Sequence, residues 1–257
     1  INIIESVAPL SYQEDWDNSG LQVGNRNAEI KAALLTVDVT ESVVNEAILL
    51  GCDLIISHHP LLFRGLKQLT GSTPQERCVE QAIRHNIAIY SAHTSMDSYL
   101  HGVSGRMAEK LGVDNYRILI PSAGDMQVGL GVIGELQEAM DNEAFVAHVA
   151  NVFAAPSAPL RWVEGAKKTV KKVAICGGAG AEFVEQAIAQ GADAYISADF
   201  KYHELQSAYQ RITVVDMDHW VSEHFTREIF EELLSAHVTT YIAKTDDSPV
   251  RFWKQEY

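Results

Sequence analysis

Short apolar runs rich in β-branched residues alternate with amphipathic stretches along most of this chain, and that alternation restricts it to sheets flanked by helices. AALLTVDV (32–39) ends near Asp38, Thr40 then stands as N-cap of ESVVNEAILLG, and Gly51 supplies the stop signal. DLIIS (53–57) is a second run, and IAIYSA (87–92) is a third, after the helix PQERCVEQAIRHN. Runs apolar on both faces, separated by helices, indicate a buried parallel sheet. The rhythm returns with KKVAICGG (171–178), AEFVEQAIAQG, ADAYIS (192–197), FKYHELQSAYQR and ITVVD (212–216). A long amphipathic helix from about Ser222 to Ala236 and a last strand, HVTTYIAK, close the pattern. The halves share this order without clear identity, which predicts an α/β fold of two linked lobes with similar topology. The expected boundary lies near residue 121, giving lobes 1–121 and 122–257. QVGLGVIGEL, the helix NEAFVAHVANVF and the strand LRWVE open the second lobe, and the C-terminal segment is free to pack back on the first.

Charge narrows the function classes. Thirty-four acidic residues against 20 basic ones give a formal charge of −14. Such a surface repels a phosphate backbone and attracts cations, so nucleic acid is not the expected partner. The one basic cluster, Lys167, Lys168, Lys171 and Lys172, precedes a strand and reads as a solvated edge. No apolar run approaches the roughly 18–20 residues that span a bilayer. The segment INIIESVAPLSYQEDWDN is acidic and lacks the basic flank and apolar stretch of a signal peptide. Cys52, Cys78 and Cys176 are widely spaced and never form a CxxC pair. They fit buried thiols in a reducing, cytoplasmic setting, so any metal here is expected on nitrogen and oxygen.

Histidines and acids gather where strands end. His58 and His59 follow DLIIS directly, and Pro60 keeps His59 extended. His93 and Asp97 follow IAIYSA in HTSMD, and DMDHWVSEHF after ITVVD carries His219 and Glu223, four apart and on one face if helical. Ligand sites of open α/β sheets lie outside strand carboxyl ends. A single histidine on an apolar face is usually a core residue, but His58, His59, Asp97, His219 and Glu223 at three such ends point to metal. Five donors for two ions require a bridging carboxylate and leave coordination positions open, as in catalytic sites. Imidazole and carboxylate suit Zn(II), Fe(II), Mn(II) or Co(II). A pair of such ions supports hydrolysis as a reaction class without naming a substrate.

Taken together, WDNSGLQVG (16–24), DLIISHHP, HTSMD, SADFKYH and DHWVSE resemble the Nif-three-like family, many of whose members are called type 2 GTP cyclohydrolase I homologs. The resemblance implies two α/β lobes with a dinuclear metal centre in the cleft between them. It also implies that His58 and His219 bind one ion, that His59 and Asp97 bind the other, and that Glu223 bridges. A toroidal homohexamer with interior sites is implied as well. Longer members carry an inserted domain for which 257 residues leave no room.

Other residues carry weaker signals. His93, four residues before Asp97, is expected to be catalytic or substrate-facing, and His203 in DFKYHE a proton donor or substrate contact, each against a purely local packing role. Asp17 and Asn18 are read as a loop shaping the site, although Asp-Asn-Ser-Gly is ordinary turn chemistry. CGGAG (176–180) fails the dinucleotide fingerprint because Phe183 takes the place of the last glycine; its free amides allow only a weak anion contact. Ser57 lacks a GxSxG context, so a serine nucleophile is not expected. The metal-dependent hydrolase reading competes with a non-enzymatic hexamer that buffers or delivers ions.

Overall fold

The computed structural model describes residues 1–122, 124–153, 159–246 and 248–251. They form a mixed α/β structure with two sheets, in two units. Of the described residues, the first unit takes Ile1–Ser98 and 224–246, and the second takes Tyr99–Glu223 and 248–251.

In the first unit α1 (Asn2–Val7) and β1 (Gly20–Val23) precede a strand–helix alternation. It runs β2 (Ala32–Thr36), α2 (Glu41–Leu50), β3 (Leu54–Ser57), α3 (Pro74–Arg84), β4 (Ala88–Ser91) and the single turn α4 (Thr94–Asp97). Every residue of β3 and β4 is buried, as strands covered on both faces must be. The caps follow local chemistry: Thr40 Oγ1 accepts from Val43 N at 3.2 Å, and Gly51 closes α2 at φ 67°. Thr73 caps α3, whose first residue is Pro74.

The second unit contains α5 (Val103–Leu111), β5 (Val113–Ser122), β6 (Asp125–Asp141), α6 (Asn142–Phe153) and β7 (Arg161–Val163). It continues with β8 (Thr169–Ala179), α7 (Val184–Ala189), β9 (Ala194–Ala198), α8 (Tyr202–Ala208), β10 (Thr213–Met217) and α9 (His219–Glu223). The chain then re-enters the first unit with α10 (Thr226–Leu234) and β11 (Thr239–Ile242).

The two sheets share a motif. The first has the order β1-β4-β3-β2-β11, with β2, β3 and β4 parallel and β1 antiparallel to β4. The second has the order β5-β6-β8-β9-β10-β7, with β8, β9 and β10 parallel and β7 antiparallel to β10. Each sheet thus holds three successive parallel strands with an earlier strand laid antiparallel on the third. They differ beyond the first strand of the trio, where β11 joins β2 in parallel and the long β6 joins β8 antiparallel.

Three local expectations change. Residue 121 falls inside β5, where Pro121 pairs with Gly129. As an edge strand, β5 has one side on which a missing N–H costs no ladder bond, so the proline does not interrupt it. The helix expected over 222–236 is two helices, α9 and α10, and the chain changes units between them. The amides of the CGGAG turn are not free: Gly177 N donates to Ser104 Oγ at 3.1 Å and Gly178 N to Ser222 Oγ at 2.8 Å. The anion reading of that turn therefore falls away.

Each unit has its own core. Leu34, Val43, Val44, Ile55, Cys78 and Ile89 belong to the first, and Ile133, Ala174, Tyr195, Phe200 and Val214 to the second. No helix among the described residues is long and apolar enough to cross a membrane.

Candidate metal centre

In the first unit the ladder between β2 and β3 continues past the last strand residues. His58 N donates to Thr36 O at 3.1 Å and His59 N to Val37 O at 2.9 Å, which holds both histidine backbones at the sheet edge. Buried Ser57 donates to His59 O at 2.8 Å and touches Ser91 Oγ at 2.8 Å. It is a brace for the histidine loop, in keeping with its reading as no nucleophile. On the neighbouring strand, Ala92 N donates to Ser57 O, and His93 begins the turn α4 that carries Asp97. One ring nitrogen of His58, one of His59 and one of His93 all lie within 4.8 Å of one another.

The imidazoles share a feature that orients them. His58 Nδ1 sits 3.1 Å from Ala92 O, a carbonyl that can only accept. His59 Nδ1 is 2.9 Å from Asp38 Oδ1, and His93 Nδ1 is 2.8 Å from Asp17 Oδ1. Each Nδ1 therefore carries the proton and donates, which leaves the Nε2 lone pair as the donor atom for a cation. Asp97 Oδ1 approaches His58 Nε2 to 3.7 Å, so this carboxylate stands beside His58. Asp17 is fully buried at its side chain. Burial alone would raise its carboxyl, but hydrogen bonds from His93, from Thr94 and from the Asn18 amide outweigh that and hold it well below the usual carboxylate range.

The second unit builds a matching pair. His219 opens α9 and Glu223 ends it, with His219 Nε2 3.0 Å from Glu223 Oε2. His219 Nδ1 is 2.7 Å from Asp199 Oδ2, so this ring is oriented like the other three. Asp199 follows β9 at φ 61°, a conformation that an Asp tolerates better than most residues but that still stores strain beside the site. Ser222 accepts from Gly178 N and donates to His219 O at 2.7 Å, clipping α9 to the end of β8. Gly178, at φ +66°, lies so close that a Cβ there would stand 2.1 Å from Glu223 Oε1 and 3.6 Å from His219 Cε1. Only glycine lets the carboxylate occupy that place.

The donor set is nitrogen and oxygen throughout. All three cysteines are buried and outside any disulfide, and burial pushes the Cys52 and Cys78 thiols up to about 11. Cys52 and Cys78 are therefore thiols at neutral pH, the form that binds cations poorly. His203 lies elsewhere, exposed on the first turn of α8 with Nδ1 3.2 Å from Gln206 Oε1. The orienting residues Asp38 and Asp199, and the packing role of Gly178, escape a reading of the sequence. Their one signal is position, since Asp38 and Asp199 fall just after strands, as the candidate ligands do.

The Duf34/NIF3 (NGG1p interacting factor 3) family model matches residues 1–249. A GTP cyclohydrolase 1 type 2 homolog of Clostridium perfringens is 34% identical over 257 residues, covering 98% of this chain and 97% of the relative. One from Clostridium acetobutylicum is 35% identical over 224 residues, covering 86% and 83%. Among solved structures, a Bacillus cereus protein related to NIF3 superposes with a TM-score of 0.87 at 25% identity, covering 98% of this chain and 97% of the other.

Proposed function

We propose, from the premise that this chain belongs to the Duf34/NIF3 family, that it holds a pair of divalent metal ions with His58, His59, Asp97, His219 and Glu223 and uses them in hydrolysis. The observation that carries this reading is the common orientation of the imidazoles. Nδ1 of His58, His59 and His219 is bound to an oxygen, so each Nε2 is left as a ligand. Zn, Fe, Mn or Co would suit these donors.

Bound ions of this kind would supply a Lewis acid and lower the pKa of water. The chain's own residues do the rest. Asp38 and Asp199 hold the rings of His59 and His219 in place, and the missing Cβ of Gly178 lets Glu223 share a face of α9 with His219. His93, oriented by Asp17, has a ring nitrogen within 4.8 Å of those of His58 and His59 and would hold or pass a proton there. Asp97, with Oδ1 3.7 Å from His58 Nε2, would share one ion with His59, and His58 the other with His219, as the resemblance implies. His203 enters as a substrate contact only.

Elemental analysis of the purified protein is expected to give about two metal ions per chain. His58→Ala and Glu223→Ala should each lower that content sharply, and unchanged stoichiometry in both would end the assignment. The curated relatives are named for a GTP cyclohydrolase, so formate release from GTP is the first activity to assay. Formate produced by the loaded protein and lost in His58→Ala would give this hydrolase its substrate. The formal charge of −14 favours one other reading, a hexamer that stores or delivers cations without turnover. Buried thiols outside any disulfide favour a reducing, cytoplasmic compartment for either version.

A further inference from the structure

Two large aromatic side chains of the first unit stand open to water beside the imidazole cluster. Trp16 is 59% exposed and Phe63 46%. Their ring centroids are 6.0 Å apart with the planes tilted by 59°, so neither ring covers the face of the other. Both meet His93 close to edge-on, Trp16 at 6.0 Å and Phe63 at 6.4 Å. The His93 ring is in turn 5.3 Å from that of His58 and 5.5 Å from that of His59.

The backbone that carries the aromatics is tied down. Next to Trp16, the Asp17 carboxylate accepts from Asn18 N, Ser19 Oγ, His93 Nδ1, Thr94 N and Thr94 Oγ1. Next to Phe63, Leu62 O accepts from Asn18 Nδ2 at 2.7 Å, and Leu62 N donates to Gln22 Oε1 at 3.0 Å. Gln22 Nε2 closes the circuit by donating to Asn18 O at 2.6 Å. Both loops are thus cross-linked through one short network, and the two rings are presented in a preset geometry. The surroundings do not extend them into a broad apolar face, because Asp15, Arg64, Lys67 and Gln68 are exposed around them and break up Leu66 and Leu69 on the same loop. A stable protein interface needs about 800 Å² on each partner, whereas two tilted rings match a single planar ligand.

We propose that Trp16 and Phe63 form an aromatic wall that binds the planar aromatic ring of the substrate and holds it against the edge of His93. The inference rests on the reading of the imidazole cluster as the reaction centre, and it narrows the substrate to molecules with a flat unsaturated ring. With the planes 59° apart, one ring takes the ligand face-on and the other meets it near its edge, contacts that tolerate many ring types, so the selectivity among rings lies with polar groups at the ligand's edge.

Purine and indole serve as planar probes, with cyclohexanol as the saturated control, titrated calorimetrically into the metal-loaded full chain. Purine and indole should bind measurably better than cyclohexanol. Trp16→Ala and Phe63→Ala should each weaken purine by about ten-fold, Trp16→Phe should restore most of the loss, and Trp162→Ala on the other unit should change nothing. Circular dichroism and light scattering on the same samples show whether the variants fold and keep their assembly. The wall is refuted by equal purine affinity in wild type and both alanine variants, or by equal binding of purine and cyclohexanol. A change of assembly with unaltered purine affinity also refutes it and makes the patch a contact between copies. Metal content read in parallel separates the two claims: ions retained without ring binding sink the wall alone, and ring binding without ions sinks the metal centre alone.

Discussion

At the scale of single residues, the site is decided by carboxylates that never need to touch a substrate. Asp17, Asp38 and Asp199 each accept from the Nδ1 of a histidine and so select which nitrogen of the ring is left to act. Asp17 is the most heavily engaged of the three, and its titration makes a prediction. Its folded pKa is depressed below the unfolded value of about 3.9, so the stability it contributes is fully present above that pH. That contribution is lost as pH falls through the folded value. Asp17→Asn should therefore be less stable than wild type in urea at pH 7, and the gap should close as the pH is taken below about 4. A gap that stays constant down to pH 3 would show that the carboxylate charge is irrelevant. The five candidate donors stand out in the sequence because they sit in short motifs at strand ends. The orienting acids do not, since Asp17 and His93 are 76 positions apart and no local spacing encodes that hydrogen bond.

Secondary elements set the next constraint. Strand β8 and helix α9 approach so closely at Gly178 that one methyl group would collide with Glu223. Gly178→Ala should cost about 1–3 kcal/mol in thermal denaturation and lower metal content. Gly191→Ala is the control, because Gly191 shares a positive φ of 77° yet has nothing within 4 Å of its would-be Cβ. Equal effects at both positions would mean that backbone strain alone matters. The fully buried strands β3, β4, β9 and β10 were readable as unbroken apolar runs. Strand β5 was not, because its exposed residues and Pro121 mimic a linker. The break between α9 and α10 was also hidden, for Val221, Phe225, Ile229 and Phe230 keep a helical spacing straight across it. Apolar period reports which face is buried and is silent on which unit buries it.

On the scale of the whole molecule, the two-lobe expectation holds as a mixed α/β structure with two sheets, and the resemblance read from five motifs agrees with a family match over residues 1–249. The homohexamer that this resemblance implies remains a proposal with a direct check: light scattering should give six times the 28.3 kDa of one chain. A monomeric mass would refute it. The discontinuity of the first unit has its own outcome during synthesis. Strand β2 borders β3 on one side, and its other neighbour, β11, is translated only after the whole of Tyr99–Glu223. Throughout translation of Tyr99–Glu223 the nascent chain carries a bare sheet edge, the kind of surface that recruits stray strands. Stalled or truncated products ending before Thr239 should for that reason be the aggregating species of this protein and the ones that engage chaperones.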